Sequence, residues 1–455
     1  MRKLFFPRAL LPEGWATDVT VEVDAAGLIA SVATGTPCPA GADRLDGAAL
    51  PGMPNLHSHA HQRAIAGLGE RSGRGASDSF WSWRDAMYTA VGRMDPDDFQ
   101  AVATQLYVEM LKAGYTRVGE FHYLHHSPDG SPYADPAEMS HRAVAAARAA
   151  GLGITLLPVL YATAGFDQAP LTDGQKRFGH DGEAFLRLME RLDSAYGDAG
   201  DVDLGIAPHS LRAVPPALLA EVLAARPDGP IHIHIAEQTA EVDECLRVTG
   251  RRPVRWLLEN AAPDERWCLI HATHVDHDEV VDMAAARLIV GLCPTTEANL
   301  GDGLFPAADY LAAGGRFGIG SDSHISVSPV EELRWLEYGQ RLFTRRRTVL
   351  AGGPERPTGA RLLRDSLAGG AQAMGADIGA IASGARADVV VLDDSHPLLA
   401  ARGDDALLDS WVFAGNANTV RHVIVGGRTV VRDGRHPLED DSAARFTRVL
   451  ERLFA

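Results

Sequence analysis

At 455 residues, with 46% hydrophobic and 23% charged residues, the chain is long enough for a large domain plus a smaller module, and its composition excludes a disordered or fibrous protein. Its net charge of −17 argues against a nucleic-acid partner, which needs a basic footprint. A small anion is still admissible, because screening confines the mean field to about 8 Å at physiological salt and a few local arginines can then capture it.

The opening MRKLFFPRALLPEGW is interrupted by Pro7, Arg8 and Pro12 before a signal-peptide core can form, and no apolar run reaches the length of a membrane span. Cys38, Cys245, Cys268 and Cys293 show no CxxC spacing, so no disulfide framework is expected and a cytoplasmic, soluble protein is. TDVTVEVD alternates as a strand does, and GLIASVATG follows it after a turn. From about residue 50 to 380, short apolar runs alternate with helical segments. The runs are GMPNLHSH, YTRVGEFHY, GITLLPVLY, VDLGIAPHS, PIHIHIAEQ, RWCLIHATH, RLIVGLCPTTE and GRFGIGSDSH. DDFQAVATQLYVEMLKAG, closed by Gly114, is a clear helix between two of them. Eight βα repeats without a GxGxxG after the first strand predict an α/β protein with a (β/α)8 TIM-like barrel rather than an open sheet. ADVVVLD, then VRHVIVGGRTVVRDG with its Gly-Gly turn, return to strand character, and DDSAARFTRVLERLFA closes as an amphipathic helix. The expected division is a barrel over 51–384 and a small β-sandwich module built from both termini, 1–50 with 385–455.

Polar residues gather at the C-terminal ends of the barrel strands, where such enzymes place their chemistry. His57 and His59 are two apart, so a strand points both to one side, where they can grip one metal ion. His232 and His234 repeat the pattern in the fifth strand; one of them reads as a ligand and the other as a hydrogen-bonded neighbour. His271 ends the sixth strand and Asp322 the eighth. Singly each is an ordinary polar strand end; together they converge on one barrel mouth. Imidazoles and a carboxylate suit Zn2+ first, then Fe2+ or Mn2+, with one position left for water. Glu237 and Asp322 are available as acid and base, and His271 to polarise an electrophile. The fourth strand gives APHSLR, with no lysine to carry a bridging carbamate, so one metal is expected.

PGMPNLHSHAH, HIHIAEQ, IHATH and GIGSDSH resemble the metal-site signatures of the amidohydrolase superfamily, in its mononuclear deaminase branch, and GARADVVVLD resembles that family's accessory module. HSHAHQRAIAGLGE, DSFWSWRDAMY, GEFHYLHH, APHSLRAV, HIHIAEQTAEVDEC and CPTTEANLGDGLFP are similar to the formimidoylglutamate deiminases within it. The resemblance implies zinc held by His57, His59, His234 and Asp322, with Glu237 and His271 assisting. It also implies substrate contacts from Gln62, Arg84, Tyr123, His209 and Arg212, and a homodimer. The reaction it implies is hydrolysis of N-formimidoyl-L-glutamate to N-formyl-L-glutamate and ammonia in histidine degradation.

Such a substrate carries two carboxylates, and Arg84 and Arg212 can each clamp one bidentately. The plainer reading stacks Arg84 on Trp81 or Trp83, which otherwise read as loop packing or part of a lid, and pairs Arg212 with a surface carboxylate. His61, His122, His125, His126, His274 and His324 read as supporting or surface residues. A deaminase of guanine, cytosine or an adenosine derivative would share the metal site but have no use for two arginines. A metal-binding relative without catalysis would have no reason to keep the carboxylates.

Overall fold

The computed structural model describes residues 1–70, 87–197, 199–353 and 356–455. Five strands open the chain: β1 (Arg2–Leu11), β2 (Gly14–Val23), β3 (Ile29–Ala33), β4 (Asp43–Arg44) and β5 (Ala48–Pro51). The barrel strands follow as β6 (Met53–Ser58), β7 (Tyr115–His122), β8 (Gly153–Leu160), β9 (Val202–Leu204) with β10 (Ala207–Pro208), β11 (Ile231–Ile235), β12 (Trp267–His271), β13 (Ile289–Leu292) and β14 (Arg316–Ile319). The chain then returns to the first sheet with β15 (Val389–Leu392), β16 (Val420–Val425) and β17 (Arg428–Val431).

Every residue of β6, β7, β8, β11, β12 and β13 is buried, as parallel strands covered on both faces must be. The barrel strands form two parallel ladders, β6-β7-β8-β10 and β11-β12-β13-β14, with β9 beside β8. Single parallel bridges join the ladders, Ile206 to Ile231 and Ser58 to Asp322, and these complete the ring. The fourth run of the sequence is broken at Gly205–Ile206 into β9 and β10. A Cβ on Gly205 would lie 2.5 Å from the Pro230 carbonyl oxygen, so the strand passes too close to its neighbour for any side chain there.

Among the described residues the terminal strands form one mixed eight-stranded sheet, β17-β16-β15-β5-β1-β2-β3 with β4 on β1. Its period-two alternation sends Val390, Leu392, Leu50 and Val423 into the barrel's core cluster. Val389, Val391, Ala49 and Ile424 go instead to a separate cluster with Leu4, Phe6, Val19 and Val21. Gly426 and Gly427 turn the β16–β17 hairpin with φ of 52° and 73°, the left-handed pair that a two-residue turn of this hand needs.

The helix Pro96–Ala113 shows how local sequence anchors the barrel. Asp95 caps it by accepting from Asp98 N (2.9 Å) while Asp98 reaches back to Asp95 N, Pro96 occupies the first turn, and Gly114 ends it at φ 105°. Its Tyr107 donates to Glu120 of β7 (3.1 Å), which also accepts from Ser58 Oγ (2.6 Å) and Ala60 N (2.7 Å). Burial pushes the Glu120 carboxyl up to about 7 despite these donors. The turn that carries the first two histidines is thereby tied to the next strand.

Helix Thr358–Met374 packs against β14 and β6 through Gly369 and Gly370, whose absent side chains leave room for the Phe317 carbonyl and the Pro54 ring. Gly369→Ala would gain about 1 kcal/mol in helix propensity but would drive a methyl into a backbone oxygen that no rotamer change can move. Overpacking costs about 1–3 kcal/mol, so the expected result is a net loss, seen as a lower thermal unfolding midpoint. An unchanged or higher midpoint would show that the helix can shift outward at no cost.

Candidate metal centre and its cleft

His57, His59, His234 and Asp322 form a buried group at the C-terminal mouth of the barrel, with their ligand atoms all within 4.8 Å of one another. His57 Nε2 lies 3.1 Å from both His59 Nε2 and His234 Nε2, and Asp322 Oδ1 is 3.4 and 3.3 Å from the first two. Backbone pairing sets this register. Asp322 N donates to the His57 carbonyl (3.0 Å) and His59 N to the Asp322 carbonyl (3.3 Å), while His234 N donates to the carbonyl of His209 (3.0 Å).

The donor set fits a divalent ion. His59 Nδ1 must donate to the Phe121 carbonyl (2.9 Å) and His234 Nδ1 to the His209 carbonyl (3.2 Å), since a carbonyl can only accept. Both neutral rings therefore turn an Nε2 lone pair toward His57 Nε2. A single proton there can satisfy only one of them, so the cluster is short of positive charge. Burial, with the neighbouring histidines, holds His57 and His234 well below the usual imidazole range, and burial also lowers His59 against the pull of Asp322. Neighbouring donors at about 2.0–2.2 Å from one ion stand roughly 2.8–3.6 Å apart when a further position is left for water, which brackets the separations observed.

His232 takes the other part open to the paired histidines. It sits beside Cys268 in the ladder, one pleat deeper than His234, and donates from Nε2 to the Ala373 carbonyl (2.7 Å) at the closed end of the barrel. His271 ends β12 in a left-handed conformation (φ 68°), and Asp322 shares it (φ 45°). Such backbone costs about 1–3 kcal/mol per residue and clusters where side chains must be aimed. His271 Nε2 faces Glu237 Oε1 at 3.9 Å and Asp322 Oδ2 at 3.8 Å, and its Nδ1 donates to Glu297 (3.2 Å). Burial opposes its charge, but Glu237, Glu297 and Asp322 outweigh burial and push its pKa to about 10. Burial raises the Glu237 carboxyl, as does Asp322, while His271 and Arg212 pull it back.

His59, His234, Glu237, His271 and Asp322 line a cleft at the barrel mouth. Gln62, Tyr123, His209 and Arg212 line it too, together with Met87, Tyr88, Tyr161, Phe178, Leu300 and Ser323. Gln62 donates to the Tyr123 hydroxyl (2.6 Å), and its own buried Oε1 has no partner. Arg212 forms no ion pair among the described residues and does not reach a surface carboxylate. Burial disfavours its charge, yet Tyr161, Glu241 and Glu237 more than compensate, so it stays cationic in the cleft wall. Arg84, Trp81 and Trp83 fall within 71–86, outside the described residues. His324 is buried under the site between Ser58 and Ser321, His61 packs edge-on against Tyr123, and His125 and His126 donate to the Val159 and Gly179 carbonyls. Burial holds His122 at about 3 beside Phe99, while His274 is half-buried at the rim of a neighbouring groove.

Glu297 was not singled out by sequence, because a glutamate one turn into a helix that starts at a proline reads as a cap. Tyr161 and Phe178 were missed as well: Tyr161 directly follows β8 at the end of GITLLPVLY, and Phe178 closes the short helix Asp173–Phe178 in the loop beyond it. Metal content separates the two histidines of β11. His232→Gln should keep the parental metal-to-protein ratio. His234→Gln should lose affinity by more than the about 10- to 100-fold that an outer partner costs. Equal retention in both variants would remove His234 from the ligand set.

Residues 48–430 match the family described as Amidohydrolase family, and residues 1–47 match the Formimidoylglutamate deiminase HutF, N-terminal domain. The chain is 56% identical to the formimidoylglutamate deiminase of Pseudomonas aeruginosa over 454 residues, 100% of both chains. It is 30% identical over 391 residues to a 5-methylthioadenosine/S-adenosylhomocysteine deaminase of Natronomonas pharaonis, covering 84% of this chain and 81% of that one. The crystal structure of an amidohydrolase from Brucella melitensis superposes with a TM-score of 0.95 at 48% identity, covering 100% of both chains. A metal-competent barrel mouth, an N-terminal module of this kind and likeness over the full length thus agree: the chain belongs to the amidohydrolase family, in the branch that carries the formimidoylglutamate deiminase N-terminal domain.

Proposed function

We propose that the chain hydrolyses N-formimidoyl-L-glutamate to N-formyl-L-glutamate and ammonia, as the name of its 56% identical relative indicates for that protein. The observation that carries this reading is that His59, His234 and Asp322 of the ligand group line one cleft with Arg212, which forms no ion pair among the described residues. A heterocyclic amine would leave that guanidinium buried without purpose, whereas a glutamate carboxylate compensates it.

His57, His59, His234 and Asp322 would hold the metal, zinc by the preference of three imidazoles and a carboxylate, and the ion supplies an acidified water as nucleophile. Asp322 takes a proton from the attacking water as the C–O bond forms at the formimidoyl carbon. Glu237 carries a proton to the departing nitrogen, so that the C–N bond breaks with ammonia rather than amide anion as the leaving group. His271 donates from Nε2 toward the tetrahedral centre and offsets the charge that develops there. Arg212 clamps a carboxylate, with Gln62, Tyr123 and His209 as further hydrogen-bond partners and Arg84 as the second arginine.

The same reading takes 51–384 as the catalytic unit and 1–50 with 385–455 as its accessory module. It also places the enzyme in the cytoplasm as a homodimer serving histidine degradation. The four cysteines are unpaired, as a reducing compartment would leave them, and no described helix is long and apolar enough to cross a membrane.

Ammonia release by the zinc-loaded protein tests the substrate directly. Rapid release from N-formimidoyl-L-glutamate, and none from guanine, cytosine or adenosine, is the expected outcome; release from a heterocycle alone would overturn it. Glu237→Gln should retain metal and lose about 10^2- to 10^4-fold in kcat, the usual share of a positioned acid or base. Arg212→Met should forfeit about 1.5–3 kcal/mol of charge-assisted hydrogen bonding, which is a rise in KM of roughly 10- to 150-fold.

A further inference from the structure

We infer that Glu297 is a positioning residue for the reaction, which fixes the ring of His271 so that Nε2, and not the Cε1 edge, faces the cleft. Glu297 belongs to CPTTEANLGDGLFP, the segment after β13 to which the chemistry above gives no role. It sits on the short helix Pro294–Leu300 and is 6% exposed. Its Oε1 accepts from Cys293 N at 2.8 Å, reaching back to the start of its own helix, and from His271 Nδ1 at 3.2 Å. The first bond is what a capping glutamate does. The second is not needed for a cap, and it joins the helix after β13 to the last residue of β12.

A half-turn of an imidazole about Cβ–Cγ exchanges Nδ1 with Cδ2 and Nε2 with Cε1, and packing alone discriminates poorly between the two settings. His271 is stacked at 20° on His234, with ring centroids 5.6 Å apart, which restrains the tilt of the ring but not which of its edges is aimed at the cleft. Only an acceptor behind the ring does that. A carboxylate can only accept, so Nδ1 must carry a hydrogen and the opposite nitrogen is presented to Glu237 Oε1 (3.9 Å) and Asp322 Oδ2 (3.8 Å). The left-handed backbone of His271 aims the side chain, and Glu297 sets its final rotation.

The kinetic arm of the test rests on the deiminase reading; the spectroscopic arm does not. In 15N-histidine-labelled protein, the His271 Nδ1–H signal, assigned by its loss in His271→Asn, should be protected from solvent exchange, keep that protection in Glu297→Gln and lose it in Glu297→Leu. Unchanged protection in Glu297→Leu overturns the assignment whatever the substrate is. With N-formimidoyl-L-glutamate as substrate, Glu297→Leu should lower kcat at least ten-fold, with KM within about three-fold and metal content at the parental level. Glu297→Gln, whose amide oxygen can accept the same N–H, should restore most of kcat. Parental turnover in Glu297→Leu overturns the role, and so does an equal loss in both variants. If the parent protein itself releases no ammonia from this substrate, the deiminase reading fails and the nitrogen spectrum alone decides the role of Glu297.

Discussion

Three imidazole nitrogens and a carboxylate oxygen lie closer together at this barrel mouth than their own charges allow. With Nδ1 of His59 and Nδ1 of His234 both committed to carbonyls, two lone pairs meet at His57 Nε2 with at most one proton between them. A cation relieves this arrangement, and much of the surrounding structure works to preserve it. Glu120 ties the His57–His59 turn to β7, the Asp322 backbone is laddered to β6, and the His209 carbonyl holds His234 through both its backbone and its ring. Removing water and fixing dipoles around an ion in this way makes each electrostatic contact stronger than it would be in solvent.

Acidic groups at the mouth serve two opposite ends. Glu237, Glu297 and Asp322 surround His271 and favour its charged form over the cost of burial. Glu241, one turn beyond Glu237, accepts from the Glu237 backbone (3.2 Å), and burial pushes its carboxyl up to about 7 while Arg212 pulls it down. Arg212 is thereby kept cationic by negative charge that does not bond to it, which leaves the guanidinium's donors available for a ligand. Net negative charge in the protein as a whole and a positive binding group in its cleft are compatible, because the compensation is local.

Periodicity made the barrel and its ligand strands legible, because every barrel run is largely apolar and the ligating residues fall toward the C-terminal strand ends. HxH in β6 and β11 was informative for the same reason: a two-residue spacing puts both rings on one side of the strand. It could not say which of His232 and His234 binds, since both point inward and only depth along the barrel axis distinguishes them. His232 is taken up by the Ala373 carbonyl of the helix Thr358–Met374, a long-range partner absent from the local pattern. Glu297 was illegible for a related reason, as it acts on His271 at the end of the neighbouring strand. The break in the fourth strand follows from the closeness of Pro230 to Gly205, which again depends on the partner strand and not on the residues that break.

The sheet shared by both termini constrains how the chain becomes a protein. Strand β5 needs β15 as its antiparallel partner, with Leu50 opposite Val390, and β15 leaves the ribosome only after all eight barrel strands. The β1–β2 hairpin can close early, from Arg2–Val23 to Leu11–Gly14, but Leu4, Phe6, Val19 and Val21 then share only part of their cluster, with Val23, Ile29, Leu45 and Ala49, until Val389, Val391 and Ile424 complete it. Long-range closure of this kind is entropically cheap per added residue yet slow, and it leaves apolar strand faces open in the meantime. The hairpin is thus fully buried only long after it is made, and the nascent chain passes the synthesis of all eight barrel strands with an apolar face that its later sheet partners must still cover.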